Sequence, residues 1–210
     1  MYTLTDFFNL YKTDKGTVGH GSEIHNYGEV YANYLDQFRG KSPLFCEIGV
    51  LDGNSLRAWR DYFENGTIVG VDVNIRRTAL DKGYDLISGD QDKPASIQAN
   101  LRNYQLFDVI LDDGSHEAKH QQECFDMLFD NLKPGGYYII EDLHCPNHPF
   151  KPPHRWNTFQ WEGRTDSTLD LVINNLDRSY YIKPDRLKDI RDNIRISEVT
   201  PKIVIMQKLK

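Results

Sequence analysis

Along most of this chain, short apolar runs alternate with stretches of helical periodicity, and that rhythm leaves few folds open. The runs are 44–50, 67–72, 84–88, 107–111 and 137–140, each four to seven residues long. Between them lie helix-like segments at 55–63, near 76–82, at 94–101 and at 117–131; the last carries Ala118, Gln121, Phe125, Leu128 and Leu132 on one face. Two further helical patterns precede the first run: 2–12 (Leu4, Phe7, Phe8, Tyr11) and 27–38 (Tyr27, Val30, Tyr31, Tyr34, Leu35, Phe38). Apolar runs of this length, separated by helices, bury both faces of a parallel sheet. The rhythm breaks at 194–199 and 203–206, which Thr200-Pro201 joins as an antiparallel hairpin at the sheet edge. The expected fold is therefore doubly wound α/β: seven strands, mostly parallel, an antiparallel C-terminal hairpin and helices on both faces.

Composition narrows the function. The net charge is −6 and no basic block occurs, which disfavours nucleic acid or an anionic membrane as a partner. No apolar run approaches the roughly 20 residues that span a bilayer. The opening MYTLTDFFNLYKTDKG has neither a basic start nor a long apolar stretch, so no signal peptide is expected. Cys46, Cys124 and Cys145 form no CxxC and read as free thiols, on a strand, a helix and a loop, in a reducing cytoplasm.

Three constellations carry chemistry. In the first, Glu47-Ile-Gly49-Val-Leu-Asp-Gly53-Asn-Ser55, a strand turns into a helix. Gly49 and Gly53 let backbone approach a ligand, and the helix start offers free amides. The glycines are four apart, which fits a dinucleotide pyrophosphate poorly. Asp72 follows Gly53 by 19 residues, at the end of the second run, where a carboxylate can accept ribose hydroxyls. Taken alone, the glycine loop also fits a plain structural turn.

The second is Asp108-Val-Ile-Leu-Asp112-Asp113-Gly114-Ser115-His116, and the third Gly135-Gly136-Tyr-Tyr-Ile-Ile-Glu141-Asp142. Both place carboxylates at C-terminal strand ends, where open α/β sheets bind ligands. If the strands are neighbours, Asp113, Glu141 and Asp142 meet at one edge, and three hard oxygen donors suit Mg²⁺. The simpler reading is that one of the acids caps the following helix or turn. His120, His144, His148 and His154 match no tetrahedral zinc spacing. His120 reads as a solvated helix position, and His144, directly after the acidic pair, as a substrate contact. Tyr27, Tyr31 and Tyr34 read as packing residues. His25 and Tyr27, at a loop-to-helix entry, also suit a lid over substrate. The 143–164 segment, with Pro146, Pro149, Pro152 and Pro153, is a long loop of the kind that is usually functional.

On these motifs the chain resembles class I S-adenosylmethionine-dependent methyltransferases, and among them the small metal-dependent sugar O-methyltransferases of the mycinamicin and macrocin type. The strings TDKG…HNY, FCEIGVLDGNSLRAW, VGVDVN, SGDQ and FDVILDDGSHEAKHQQECFDMLFDNLKPGGYYIIEDL carry the likeness over roughly 13–143. The resemblance implies a Rossmann-like methyltransferase domain at 41–210 behind a helical extension and lid at 1–40. It implies that Glu47, Gly49, Gly53 and Ser55 line the cofactor's amino-acid end and that Asp72 holds its ribose. It also places Asp90, Gln91 and Asp112 around the rest of the cofactor, Mg²⁺ on Asp113, Glu141 and Asp142, and the general base at His116. The implied reaction methylates a hydroxyl of a small sugar or glycoside, in natural-product or polysaccharide biosynthesis. A homo-oligomer is compatible with such an enzyme. Competing readings are a catechol-type O-methyltransferase, a nucleotide-dependent oxidoreductase, and a binding protein without chemistry.

Overall fold

The computed structural model describes residues 2–18, 24–143 and 167–210. Its strands are β1 (Leu44–Ile48), β2 (Thr67–Asp72), β3 (Asp85–Ser88), β4 (Phe107–Asp112), β5 (Leu132–Glu141), β6 (Ile194–Val199) and β7 (Ile203–Lys208). They form a seven-stranded sheet in the order β3-β2-β1-β4-β5-β7-β6. The β1–β2, β2–β3 and β4–β5 pairs are parallel, whereas β7 runs antiparallel to both β5 and β6. The expected sheet and its closing hairpin are both present. The described helices are α1 (Leu4–Leu10), α2 (Gly28–Leu35), α3 (Asn54–Tyr62), α4 (Pro94–Leu101), α5 (Ala118–Leu128), α6 (Thr168–Ile173) and α7 (Pro184–Asp192). None is long and apolar enough to cross a membrane. By its contacts the chain forms two compact units, 1–88 and 89–210.

The first unit is built around Trp59 of α3, which is fully buried. Phe8 of α1 and Tyr31 of α2 meet its ring edge-on at 4.9 and 5.3 Å, and Phe45 of β1 lies 4.8 Å away. Offset and edge-on contacts of this kind add to the burial of three large apolar surfaces. The N-terminal helices are thereby part of this core. A capping box starts α1: Thr3 Oγ1 accepts from the Asp6 amide, and the Asp6 carboxylate accepts from the Thr3 amide. Between α1 and α2, the Asp14–Gly16 backbone is pinned to 25–27: the His25 amide donates to Asp14 and the Tyr27 amide to Lys15. The expected helix near 76–82 is only a single 3₁₀ turn, Arg77–Ala79. Ala79 alone is buried there, so no apolar stripe pays for a longer helix.

In the second unit, Phe125 of α5 packs edge-on to Tyr138 of β5 at 5.0 Å. β5 begins five residues before the expected 137–140 run. Its ladder with β4 is interrupted between Phe107 and Val109, so Lys133–Gly136 leaves the register and returns to it. Gly135, at φ 80°, turns that excursion. α6 and α7 were not part of the sequence expectation; α6 is capped by Ser167, whose Oγ accepts from the Asp170 amide, and Pro184 opens α7.

Candidate functional site

In the first unit the glycine loop leaves β1 through three left-handed residues, Gly49 (φ 94°), Leu51 (φ 50°) and Gly53 (φ 76°). A Cβ at Gly53 would also sit 3.0 Å from Ala79 Cα, so both space and backbone require glycine there. Asp72 holds this loop. Its Oδ2 accepts from the Val50 and Leu51 amides at 2.8 and 3.1 Å, and its Oδ1 from the Asn74 amide at 2.8 Å. With two donors on Oδ2, room for a further donor remains chiefly at Oδ1. Glu47, fully buried on β1, accepts from Ser55 Oγ at 3.0 Å through Oε2. The structure thus brings together Glu47 and Ser55, and joins Asp72 to the glycine loop.

The N-terminal candidates lie in the same unit. The His25 and Tyr27 rings stack at 5.1 Å, and His25 Nε2 lies 3.7 Å from Asp14 Oδ2. Tyr27 and Tyr31 are buried, so packing is one of their roles. Lys15, which the sequence reading passed over, is only 1 % exposed. His144 lies outside the described residues, as does most of the 143–164 loop.

In the second unit, parallel pairing sets Asp112 of β4 opposite Ile140 of β5, so the residues that follow both strands emerge at one sheet edge. There Asp113, His116 and Asp142 gather, with one donor atom from each lying within 4.8 Å of the others. His116 Nε2 is 3.7 Å from Asp142 Oδ2. Both residues hold left-handed backbones, φ 60° at His116 and 55° at Asp142. Non-glycine residues bear such strain only where the surroundings enforce it, and functional sites are where this is common. Two carboxylates and an imidazole nitrogen are suitable donors for a divalent cation. Glu141, the last residue of β5, is 1 % exposed and stands outside that donor group. Successive strand side chains point to opposite faces, so adjacency in sequence does not carry it to the Asp142 position.

The cluster's loop is heavily bonded from behind. Gln91 donates from Nε2 to Asp112 Oδ1 at 2.8 Å and accepts from the Ser115 amide through Oε1 at 2.6 Å. The Gly114 amide also donates to Asp112 Oδ1, at 3.3 Å. Asp112 itself is fully buried, and burial pushes its carboxyl up to about 6 against the hydrogen bonds from Gln91 and Gly114. Asp90 is engaged locally, accepting from the Asp92 amide and pairing with Lys93 at 3.3 Å. His120 departs from the sequence expectation. Its side chain is 14 % exposed and bonded at both nitrogens, to Ser115 and to Asp92. Helical periodicity could not reveal this, because Asp92 lies 28 residues away. The free thiols of Cys46 and Cys124 are buried, on β1 and α5 as expected.

No family model matches the chain. Curated relatives do. It is 34% identical over 140 residues to the Streptomyces olivaceus 8-demethyl-8-alpha-L-rhamnosyl tetracenomycin-C 2'-O-methyltransferase, covering 62% of this chain and 37% of that protein. It is 31% identical over 167 residues to the 3'-O-methyltransferase acting on the 2-methoxy-rhamnosyl tetracenomycin of the same organism, covering 75% and 41%. The chain therefore spans less than half the length of these curated relatives. Among solved structures, the MycE methyltransferase of the mycinamycin pathway, in complex with Mg, SAH and mycinamycin VI, superposes with a TM-score of 0.78 at 25% identity, over 100% of this chain and 55% of that one. Sequence and fold agree: the chain carries the class I methyltransferase fold, and the curated homologues it matches are sugar O-methyltransferases.

Proposed function

We propose that the chain is a divalent-cation-dependent O-methyltransferase that carries the methyl group of S-adenosylmethionine to a hydroxyl of a sugar or glycoside. The observation that carries this reading is the Asp113–His116–Asp142 donor group on the strand ends that follow β4 and β5. Homology to tetracenomycin rhamnose O-methyltransferases supports a glycoside acceptor over a catechol. In the first unit, the glycine loop with Glu47, Ser55 and Asp72 would take the cofactor's amino acid and ribose. Gly49 and Gly53 give close backbone approach, and Asp72 offers Oδ1. In the second, Asp90, Gln91 and Asp112 would border the remainder of the cofactor.

The residues that would hold the cation are Asp113 and Asp142; Glu141, the third acid of the sequence reading, stands outside that donor group. A cation such as Mg²⁺ supplies Lewis-acid polarisation of a hydroxyl. His116 would accept the hydroxyl proton at Nε2, the nitrogen that faces Asp142. The left-handed turn at His116 aims the ring, so much of the contribution is orientation. His25 and Tyr27, and with them His144, are assigned to the acceptor. Residues 1–40 would form an extension and lid to the 41–210 catalytic domain. The buried free cysteines support a reducing, cytoplasmic location. The partner is a small glycoside, with neither nucleic acid nor membrane, and a homo-oligomer is compatible with the fold.

One observation favours a variant of this reading: His116 lies inside the donor group and Glu141 outside it, so His116 could be the third ligand. Methyl transfer to a panel of glycosides, followed in EDTA and after Mg²⁺ is restored, tests the main proposal. Turnover should vanish and return; full activity in chelator would refute it. His116→Ala separates the variants. A base loses about 10²–10⁴-fold in kcat with cation affinity intact, whereas a ligand loses cation affinity.

A further inference from the structure

Behind the cation cluster stands a chain of polar side chains that the proposed chemistry leaves unused. Ser115 Oγ lies 2.8 Å from His120 Nδ1, and His120 Nε2 lies 3.3 Å from Asp92 Oδ1. Lys119 Nζ pairs with the same Asp92 oxygen at 2.9 Å, and Glu117 Oε2 is 3.8 Å from His120 Nε2. A serine, a histidine and an aspartate in this order suggest a hydrolytic nucleophile, but the surroundings argue against it. The two amides that could cradle an oxyanion beside Ser115 are engaged: Gly114 donates to Asp112, and Ser115 donates to Gln91. What the chain of contacts does do is fix a loop. Ser115 is the residue between Gly114 and the strained His116, and it is held twice. Gln91 takes its amide, and His120 holds its hydroxyl.

We infer that His120, bonded to Asp92 and to Ser115, is a positioning residue that holds the 113–116 turn in its cation-binding form, so that it sets cation affinity from outside the donor group. The physical reason is the strain at His116. A left-handed backbone at a non-glycine residue is strained and persists only when neighbouring contacts over-determine it. Gln91 and His120 supply those contacts, one at the Ser115 amide and the other at the Ser115 hydroxyl. Gln91 packs against Gly114, where a Cβ would fall 2.1 Å from its Oε1, and His120 reaches back from the first turn of α5. Asp92, 3.3 Å from His120 Nε2, in turn fixes the orientation of the imidazole. Freed of His120, the turn would be expected to populate unstrained conformations in which Asp113 and His116 no longer converge with Asp142. The inference rests on the cation-dependent reading above.

The test uses Mn²⁺ as the probe, with free ion counted by electron paramagnetic resonance on cofactor-free protein. Loss of partners that orient metal ligands typically weakens affinity 10–100-fold, so His120→Ala should raise the Mn²⁺ dissociation constant about 10-fold or more. His120→Asn, whose amide can reach the Ser115 hydroxyl from the Nδ1 position, should recover most of that loss. Ser115→Ala, a small change at an exposed residue, should mimic His120→Ala and keeps the test decisive if that variant folds poorly. In turnover, the cation concentration giving half-maximal rate should rise in both, while kcat at saturating cation stays near native. His120→Ala and Ser115→Ala proteins that bind Mn²⁺ as the native protein does would overturn the inference and leave the cation site standing. A native protein that binds no Mn²⁺ would instead overturn the reading on which it rests.

Discussion

Asp72 is expected to have two separable duties, and substitution there should show both. Its carboxylate accepts from three amides, those of Val50, Leu51 and Asn74. Leu51 is 59% exposed and Asn74 is exposed, so water can replace the carboxylate at those two amides. Val50 is 2% exposed, and its amide would be left without an acceptor. A hydrogen bond to a charged group is worth about 1.5–3 kcal/mol, so Asp72→Ala should lose roughly that much stability. For a chain of this size, each kcal/mol moves Tm by about 2–4 °C, which gives a fall of about 3–12 °C. Asp72→Asn keeps one oxygen able to face Val50 and Leu51, and should recover at least half of the loss. Binding should respond differently. Both variants lack the charged acceptor for a ribose hydroxyl, so both should weaken S-adenosylhomocysteine about 10- to 100-fold by calorimetry. Thermal unfolding without ligand separates the two effects. An alanine variant that melts within about 1 °C of the native protein would show that the carboxylate does not hold the glycine loop.

Asp112 should make stability depend on pH in a defined direction. Its carboxyl is raised from 3.8 to about 6 in the folded chain, so the folded state holds that proton more tightly than the unfolded one; stability from this group is full below about pH 4 and is lost as pH rises through 6. The loss is at most on the order of 3 kcal/mol. Asp112→Asn keeps an oxygen for Gln91 and Gly114, so in chelator its Tm relative to native should be higher at pH 8 than at pH 4; the same difference at both pH values would contradict the assignment. Phe8→Ala should cost about 3–5 kcal/mol, because Phe8 is fully buried against Trp59 and Tyr31. A loss below about 1 kcal/mol in denaturant unfolding would mean that α1 is a detachable appendage of the first unit.

The central strands were legible because each is a short apolar run buried on both faces, and such a strand needs nothing subtler. β5 was read short because Pro134-Gly135-Gly136 looks like a turn that ends a helix, whereas the chain passes through it as an irregularity within the ladder. The 76–82 segment was read long because its charged residues are good helix formers, yet only Ala79 finds cover. Of the site, Glu47 with Ser55, Asp72 beside the glycine loop and the meeting of Asp113 with Asp142 were legible from strand-end motifs, whereas the donor group holds His116 where the sequence reading had put Glu141. The bracing of the cation loop was not, since it joins residues 91 and 92 to 112–120 through side-chain bonds that leave no periodic trace. Gln91 appeared only as a cofactor neighbour and His120 only as a surface position.

The order of the last strands bears on how the chain is made. β7 is synthesised after β6, yet it lies between β5 and β6. As the polypeptide emerges, β6 has no sheet neighbour, and the β5 edge that will receive β7 stays open with Tyr138, Ile139 and Ile140 along it. Exposed, apolar strand edges of this kind are the ones that pair with other nascent chains. The β5 edge is therefore open to misassembly from the time β5 emerges until β7, the later strand of the hairpin, pairs with it.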